Sequence, residues 1–137
     1  MTTETLSKES AQAIAYFEGK LAFEMGPVEL KMAKERGEKL QIIDLRTPEL
    51  FGKGHVPGAQ NVLFDVLEAH LPKLNKDEVT VVYCYDVLCH LSAKAALLLA
   101  KKGYKVRELA GGWDGWVERN FEVEGQATKS SCSSSCG

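Results

Sequence analysis

The sequence predicts an α/β fold: an open parallel five-stranded sheet with helices on both faces, preceded by an N-terminal helix. Two observations lead to this prediction. Short apolar runs of strand length alternate along the chain with longer runs of helical periodicity. Strands that alternate with helices in this way form parallel sheets covered by helices on both sides. At 137 residues, the chain is long enough to bury one hydrophobic core, so we expect a single main domain.

The first predicted element is a helix over residues 7–20, with Ser7 as its N-cap. Its apolar side chains recur on one side of the helix: Ala11, Ile14, Ala15, Phe17 and Leu21. Because an apolar helical stripe is usually buried, we expect this helix to pack against the core; a role in dimer formation is the alternative. Residues 21–25 read as the first strand.

A second helix begins at Pro27, which suits a first helical turn, and ends at Gly37. Residues 40–45 form the second strand, and residues 47–51 a short helix opened by Thr47 and a proline. The remaining elements continue the alternation: a strand at 61–63, a helical turn at 65–70, a strand at 79–83, a helix at 92–102, a strand at 104–109 and a closing helix at 113–120. Together with the first two strands, these elements give the five strands of the predicted sheet.

Cys84 is the most informative residue, because it follows the apolar run at 79–83 and precedes the helical run that starts at Ser92. Sites in open α/β sheets form at the carboxyl ends of strands. Unpaired N–H groups and the positive end of the helix dipole at a helix N-terminus lower a thiol pKa and bind an anion. We interpret Cys84 as a nucleophilic cysteine in an anion-binding loop. The alternative is a small buried hydrophobic residue.

Five motifs extend this interpretation: residues 42–46 (IIDLR), Glu49, residues 54–59 (GHVPGA), Cys84-Tyr85 and residues 109–116 (LAGGWDGW). In this order they resemble the series found in rhodanese domains, over about residues 22–124. The resemblance implies a sulfurtransferase in which Cys84 takes a sulfane sulfur from a donor, carries it as a persulfide and passes it to a thiophilic acceptor. It implies a small sulfur donor or a persulfide-bearing protein as partner, no cofactor and no metal.

The loop after Cys84 departs from this family. It consists of Tyr85, Asp86, Val87, Leu88, Cys89, His90 and Leu91. The family loop resembles C-R-x-G-x-R-S, whereas here Ser92 stands eight places after the cysteine, no glycine or arginine is present and Asp86 adds negative charge. We therefore expect a bulkier or less charged donor than thiosulfate. A phosphatase of the related C-x5-R type is not expected, because His90 stands where the arginine clamp is needed.

Cys89 lies five residues after Cys84 in the same loop. It can resolve a persulfide or sulfenic acid on Cys84 by forming a disulfide, or it can be a small residue that fills the enlarged loop. The first possibility yields an alternative function, a non-catalytic or redox-sensing module that uses the Cys84–Cys89 pair. His90 has two interpretations as well: a general base or electrostatic partner, or an exposed loop residue.

The other motif residues are expected to support the site. Asp44 and Arg46 lie at a strand end and should pair with each other or with loop backbone, and Ser92 starts the helix after the loop. His55 is expected to bond backbone as a structural loop residue. Gly111 and Gly112 permit close backbone approach, while Trp113 and Trp116 close the core.

Charge and composition exclude other classes of function. The net charge is −2 with no basic block, so a nucleic-acid partner is not expected. No apolar stretch approaches the roughly 18 residues of a membrane span, and the polar N-terminus lacks a signal-peptide core. We therefore expect a cytoplasmic protein whose four cysteines are reactive rather than structural. The oligomeric state is not predicted.

The expected organisation has three parts: an N-terminal helical extension over residues 1–21, the rhodanese-like domain over residues 22–124, and a flexible Ser/Cys-rich tail over residues 125–137. Cys132 and Cys136 in the tail are open to metal binding, disulfide formation or sulfur relay with Cys84. Two thiols are too few for a structural zinc site, which needs four ligands.

Overall fold

The computed structural model describes residues 7–86 and 88–125. Its helices and strands follow in the order α1 (Lys8–Phe23), β1 (Glu24–Met25), α2 (Pro27–Glu35), β2 (Leu40–Asp44), α3 (Pro48–Lys53), β3 (Gln60–Asn61), α4 (Phe64–His70), a 3-10 turn (Leu71–Lys73), β4 (Val79–Tyr83), α5 (Leu91–Lys101), β5 (Val106–Leu109) and α6 (Gly112–Val117). The five strands form one sheet in the order β1-β5-β4-β2-β3, and every pair is parallel. The predicted fold class is confirmed.

Two hydrophobic clusters cover the two faces of the sheet. On one face, side chains of α4 and α5 such as Leu67 and Leu99 pack on Ile43 and Val82. On the other face, Leu30 of α2 and Trp116 of α6 belong to the second cluster. Strands β4 and β2 lie inside the sheet and are covered on both faces. Their carboxyl ends are where sites form in open α/β sheets.

The predicted first strand is the main boundary error. Residues 21–23 are the last residues of α1 instead, and the N–H of Glu24 still bonds to the carbonyl of Lys20. A short apolar run has no periodicity that separates a strand from the end of a helix, and the preceding helical hydrogen bonds decide the outcome here. The strand predicted from residue 104 begins at Val106, because the backbone N–H of Tyr104 still bonds to the carbonyl of Leu99 at the end of α5.

The expectation that α1 packs into the core is wrong. Ser7 caps the helix as predicted, but none of its residues is buried. Large apolar side chains of the predicted stripe stay on the surface, with Ile14 46%, Phe17 56% and Leu21 83% exposed. The helix contacts β5 and β1, and its residues Tyr16 and Phe23 line a shallow pocket with Ala93 and Ala96 of α5. It therefore lies on the side of the sheet that α5 already covers. The alternative role in dimer formation stays a prediction.

Within residues 7–86 and 88–125, no helix is long and apolar enough to cross a membrane. The same part of the chain contains no group of three or more His, Cys, Asp or Glu side chains able to hold a metal ion. Cys132 and Cys136 of the predicted tail lie outside the described residues, and so does Val87 of the loop. The proposed division of the chain into three parts stays a prediction.

Candidate functional site

Cys84 follows the last residue of β4 and is 1% exposed. Its carbonyl accepts a hydrogen bond from the N–H of Trp113 at 2.9 Å, and the carbonyl of Tyr85 accepts one from Asp114 at 3.0 Å. Both donors belong to the first turn of α6. The start of the loop is therefore clamped between the end of a central strand and the beginning of the closing helix.

Gly112 makes this clamp possible. Its φ is +58°, and a Cβ placed on it would lie 2.9 Å from the carbonyl oxygen of Cys84 and 3.0 Å from the carbonyl carbon of Tyr85. Contacts this short with backbone atoms cannot be relieved by moving a side chain. Only glycine fits both the backbone angle and the gap, which confirms the expected close approach beside the site.

A buried polar network lies beneath the loop. Asp44 and Arg46 are 0% and 2% exposed, and the guanidinium bonds the carboxylate through Nε at 3.1 Å and Nη2 at 2.8 Å. Nη2 also donates to the carbonyl of Gly54 at 2.6 Å. The expected pairing between Asp44 and Arg46 is present, and it ties the end of β2 to the loop that contains His55. The His55 ring bonds the carbonyl of Phe51, as expected of a structural residue.

Tyr83 is the member of this network that the sequence analysis missed. Its hydroxyl donates to Asp44 Oδ2 at 2.5 Å and accepts from the N–H of Val56 at 3.1 Å. Burial and the neighbouring carboxylate raise the pKa of Tyr83, so the hydroxyl stays a donor. Burial alone would lower the pKa of Arg46, but the hydrogen bond and charge of Asp44 outweigh it and raise that pKa. Tyr83 is the last residue of a strand whose other members are apolar or β-branched. Nothing in the neighbouring sequence predicts that its hydroxyl bonds to Asp44.

The two tryptophans of α6 divide their roles. Trp116 is 2% exposed and closes the second core cluster, as predicted. Trp113 lies half-buried over the network, with the Arg46 guanidinium carbon 4.4 Å from its ring centroid. The indole therefore packs against the buried cation next to the clamp on Cys84.

Asp86 accepts hydrogen bonds from two backbone N–H groups of the loop. The N–H of Leu88 donates to Asp86 Oδ1 at 2.9 Å, and the N–H of Cys89 donates to the Asp86 carbonyl at 3.2 Å. The N–H of Tyr85, by contrast, bonds the Cys84 sulfur. Two N–H groups that the predicted anion-binding loop would leave unpaired are therefore bonded to Asp86 instead.

This turn brings Cys89 back against Cys84. The two sulfur atoms lie 2.7 Å apart and share a hydrogen bond, and both cysteines are free thiols. Cys89 is partly exposed and belongs to neither core cluster. Of the two interpretations left open by the sequence, the contact favours a partner of Cys84 over a core filler.

Three of the described loop residues, Tyr85, Leu88 and His90, are exposed. Tyr85 and Leu88 are 38% and 81% exposed, and His90 is an exposed residue immediately before α5. Leu91 is the first residue of α5 and packs on the first core cluster. Ser92 donates to Glu108 Oε2 of β5 at 2.6 Å. Ser92 therefore fixes the start of α5 to the sheet.

A cavity of about 280 Å³ opens beside Cys89. Its wall includes three carboxylates and one ammonium group, those of Asp86, Glu24, Glu108 and Lys20. Lys20 is paired with Glu24 at 3.0 Å. The approach to the two thiols is therefore net acidic, which disfavours a small dianion.

The environment of Cys84 reverses one expectation. Burial raises the pKa of the Cys84 thiol to about 12, and the hydrogen bond shared with Cys89 adds to the rise. The Tyr85 N–H acts in the opposite direction, and the charge of Asp44 again raises the pKa. The sequence predicted a lowered pKa from the helix N-terminus. That prediction is wrong, because the thiol is buried and its neighbours Cys89 and Asp44 both favour the protonated form.

We therefore expect Cys84 to react slowly with iodoacetamide at neutral pH. Below the pKa the thiolate fraction, and with it the alkylation rate, should rise about tenfold per pH unit. The rate is measured by mass spectrometry of the Cys84 peptide across a pH series. The same chain unfolded in urea is the control, where the rate should level off near an ordinary thiol pKa of about 8.5. A folded protein whose rate levels off at neutral pH would contradict this assignment.

Comparisons with known proteins agree with this geometry. The family model of the rhodanese-like domain matches residues 27–119. The chain is 33% identical over 84 residues to thiosulfate sulfurtransferase GlpE of Shewanella oneidensis, covering 61% of this chain and 81% of that protein. It is 32% identical over 96 residues to the HTH-type transcriptional regulator Rv0324 of Mycobacterium tuberculosis, covering 70% of this chain but only 42% of that protein. The crystal structure of the BH2092 protein from Bacillus halodurans superposes with a TM-score of 0.77 at 28% identity, covering 93% of this chain and 96% of that one.

Proposed function

The chain belongs to the rhodanese-like domain family, and from this premise we propose that it is a sulfurtransferase that carries sulfur on Cys84. The Cys84 thiolate attacks the outer sulfur of a donor, and the donor's sulfur–sulfur bond breaks. The remainder of the donor leaves as a thiolate from a persulfide, or as sulfite from thiosulfate. Cys84 then holds the outer sulfur as a persulfide until a nucleophilic acceptor takes it.

The observation that carries this proposal is the position of Cys84. The residue lies at the carboxyl end of a central strand, and its carbonyl is clamped by the N–H of Trp113. The side chain is thereby held at the sheet edge where α/β enzymes place their reacting groups. The Asp44–Arg46–Tyr83 network supports the same backbone from below. The similarity to a thiosulfate sulfurtransferase supports the assignment.

The donor proposed for this site is a persulfide, either of low molecular weight or on a protein. Thiosulfate carries two negative charges, whereas the cavity beside Cys89 has three carboxylates against one lysine, and the loop contains no arginine. A less charged donor avoids this repulsion. The free thiols of Cys84 and Cys89 suit a reducing compartment. A cytoplasmic location is therefore part of the proposal.

A second candidate is a redox-sensing module without sulfur transfer. The 2.7 Å contact between the Cys84 and Cys89 sulfur atoms favours it, since adjacent thiols form a disulfide on oxidation. This module would lose two hydrogens on treatment with hydrogen peroxide and would take no sulfur from either donor.

The test of the proposed function measures glutathione released from glutathione persulfide, in parallel with sulfite released from thiosulfate. We expect the wild-type chain to release glutathione faster than sulfite. Cys84→Ser should reduce both rates to those of the buffer, because the hydroxyl cannot carry the sulfur. The double variant Cys132→Ser/Cys136→Ser is the control and should react like the wild type. Equal glutathione release by Cys84→Ser and wild type would refute the proposal.

A further inference from the structure

The contact between the two loop thiols has a consequence for the fate of the sulfur. Cys89 Sγ lies 2.7 Å from Cys84 Sγ, which is the inner sulfur of a persulfide formed on Cys84. Cys89 also lines the cavity of about 280 Å³ beside the loop, while Cys84 does not. A nucleophile is thus already in place against the inner sulfur, on the side open to solvent.

The loop backbone keeps Cys89 in this position. Asp86 accepts from the N–H groups of Leu88 and Cys89, which closes a turn between the two cysteines. Ser92, bonded to Glu108, anchors the beginning of α5 just after the turn. The approach of Cys89 to Cys84 is therefore built into the folded loop.

We propose that Cys89 is the resolving residue for the Cys84 persulfide, so that this protein reduces the sulfane sulfur to hydrosulfide and ends each turnover as a Cys84–Cys89 disulfide. The inference rests on the proposed function, because it needs a persulfide on Cys84. It names the nucleophile that resolves the persulfide as a residue of the same loop, and the sulfur product as hydrogen sulfide rather than a newly persulfidated molecule.

The step balances within the protein. The Cys89 thiolate attacks Cys84 Sγ, a new Cys84–Cys89 sulfur–sulfur bond forms, and the bond to the outer sulfur breaks. The electron pair of that bond leaves with the outer sulfur as hydrosulfide, which takes up a proton to become hydrogen sulfide. Two thiols are oxidised to a disulfide and one sulfane sulfur is reduced. A dithiol reductant then returns the loop to its free thiols by exchange.

The choice of leaving group favours this step over transfer of the outer sulfur. Transfer to any acceptor must expel the Cys84 thiolate, whereas resolution by Cys89 expels hydrosulfide. Sulfur–sulfur exchange is faster when the leaving thiol has a lower pKa, and burial raises the pKa of Cys84. The environment that makes Cys84 a poor leaving group thus directs the attack to its own sulfur atom.

The test is a single-turnover reaction of the full-length chain with stoichiometric glutathione persulfide and no added acceptor. Released sulfide is trapped with monobromobimane, released glutathione is measured in the same sample, and the acid-quenched protein is weighed intact without reduction. We expect the wild type to release one sulfide per chain and lose two hydrogens, with the disulfide mapped to Cys84 and Cys89. In Cys89→Ser, glutathione is still released, sulfide release is lost, and the protein retains one added sulfur.

Two controls make the outcome specific. Cys84→Ser defines the background from reaction between glutathione and its persulfide, and Cys132→Ser/Cys136→Ser should release sulfide like the wild type. A wild-type chain that releases glutathione but keeps a stable persulfide would overturn this inference and leave the proposed function intact. Sulfide release that survives Cys89→Ser but is lost in the tail variant would also overturn it. Absence of glutathione release from both the wild type and Cys89→Ser would defeat the proposed function itself.

Discussion

Replacing Asp44 with alanine is expected to lower the free energy of unfolding by about 3–5 kcal/mol, because it leaves the buried Arg46 guanidinium without its counter-charge. Asp44 is fully buried and accepts from Arg46 and from the Tyr83 hydroxyl. Losing the carboxylate removes the buried acceptor of the Arg46 backbone N–H, the Arg46 guanidinium and the Tyr83 hydroxyl at once. Equilibrium unfolding in urea, followed by circular dichroism, measures the change.

Two comparisons separate this effect from the loss of an ordinary ion pair. Glu38→Ala removes the exposed pair with Arg36, whose side chains are about half exposed, and should cost no more than about 1 kcal/mol. Asp44→Ala combined with Arg46→Met removes both charges and should recover part of the lost stability. A cost for Asp44→Ala as small as that for Glu38→Ala would show that the network does not hold the end of β2.

Gly112→Ala has the second largest expected effect, and it acts on both stability and function. The left-handed backbone angle costs about 1–2 kcal/mol for a residue with a Cβ, and the close contact with Cys84 and Tyr85 adds about 1–3 kcal/mol of overpacking. Because the contacts are with backbone, the loop must move away from α6. We therefore expect glutathione release from glutathione persulfide to fall along with the urea midpoint.

Gly37→Ala is the matched control for this prediction. Gly37 also has a positive φ, +79°, but a Cβ there meets nothing within 4 Å. This variant should show the backbone strain alone, with glutathione release per folded chain unchanged. Equal losses of stability in the two variants, with unchanged release in both, would mean that Gly112 does not position the loop.

The sequence predicted the position of Cys84 at a strand end correctly, but not the pKa of its thiol. A cysteine between an apolar run and a helical run stands at a strand end in any parallel sheet. The neighbouring residues are therefore enough to predict the position of Cys84. Its pKa depends on how deeply the residue is buried and on which charges neighbour it. Asp44 ends the neighbouring strand β2, and its charge raises the pKa of the Cys84 thiol.

Gly112 and Tyr83 likewise make contacts with distant residues that the local sequence does not predict. A Gly-Gly pair before a tryptophan predicts close backbone approach, and that much is confirmed. The identity of the approached atoms, the carbonyls of Cys84 and Tyr85, requires the fold, because they are more than 25 residues away along the chain. Tyr83 looks like one more strand residue until β2 places Asp44 beside its hydroxyl.

By itself, the sequence determined the α/β architecture, the strand end that carries Cys84, the supporting place of Asp44 and Arg46, and the family. These features follow from apolar periodicity and short motifs, which are properties of neighbouring residues. Only the tertiary structure decided that α1 stays on the surface, that the Cys84 pKa rises and that Cys89 lies against Cys84. Burial, charge and sulfur–sulfur contact depend on what packs around a residue in three dimensions, and the local sequence does not carry that information.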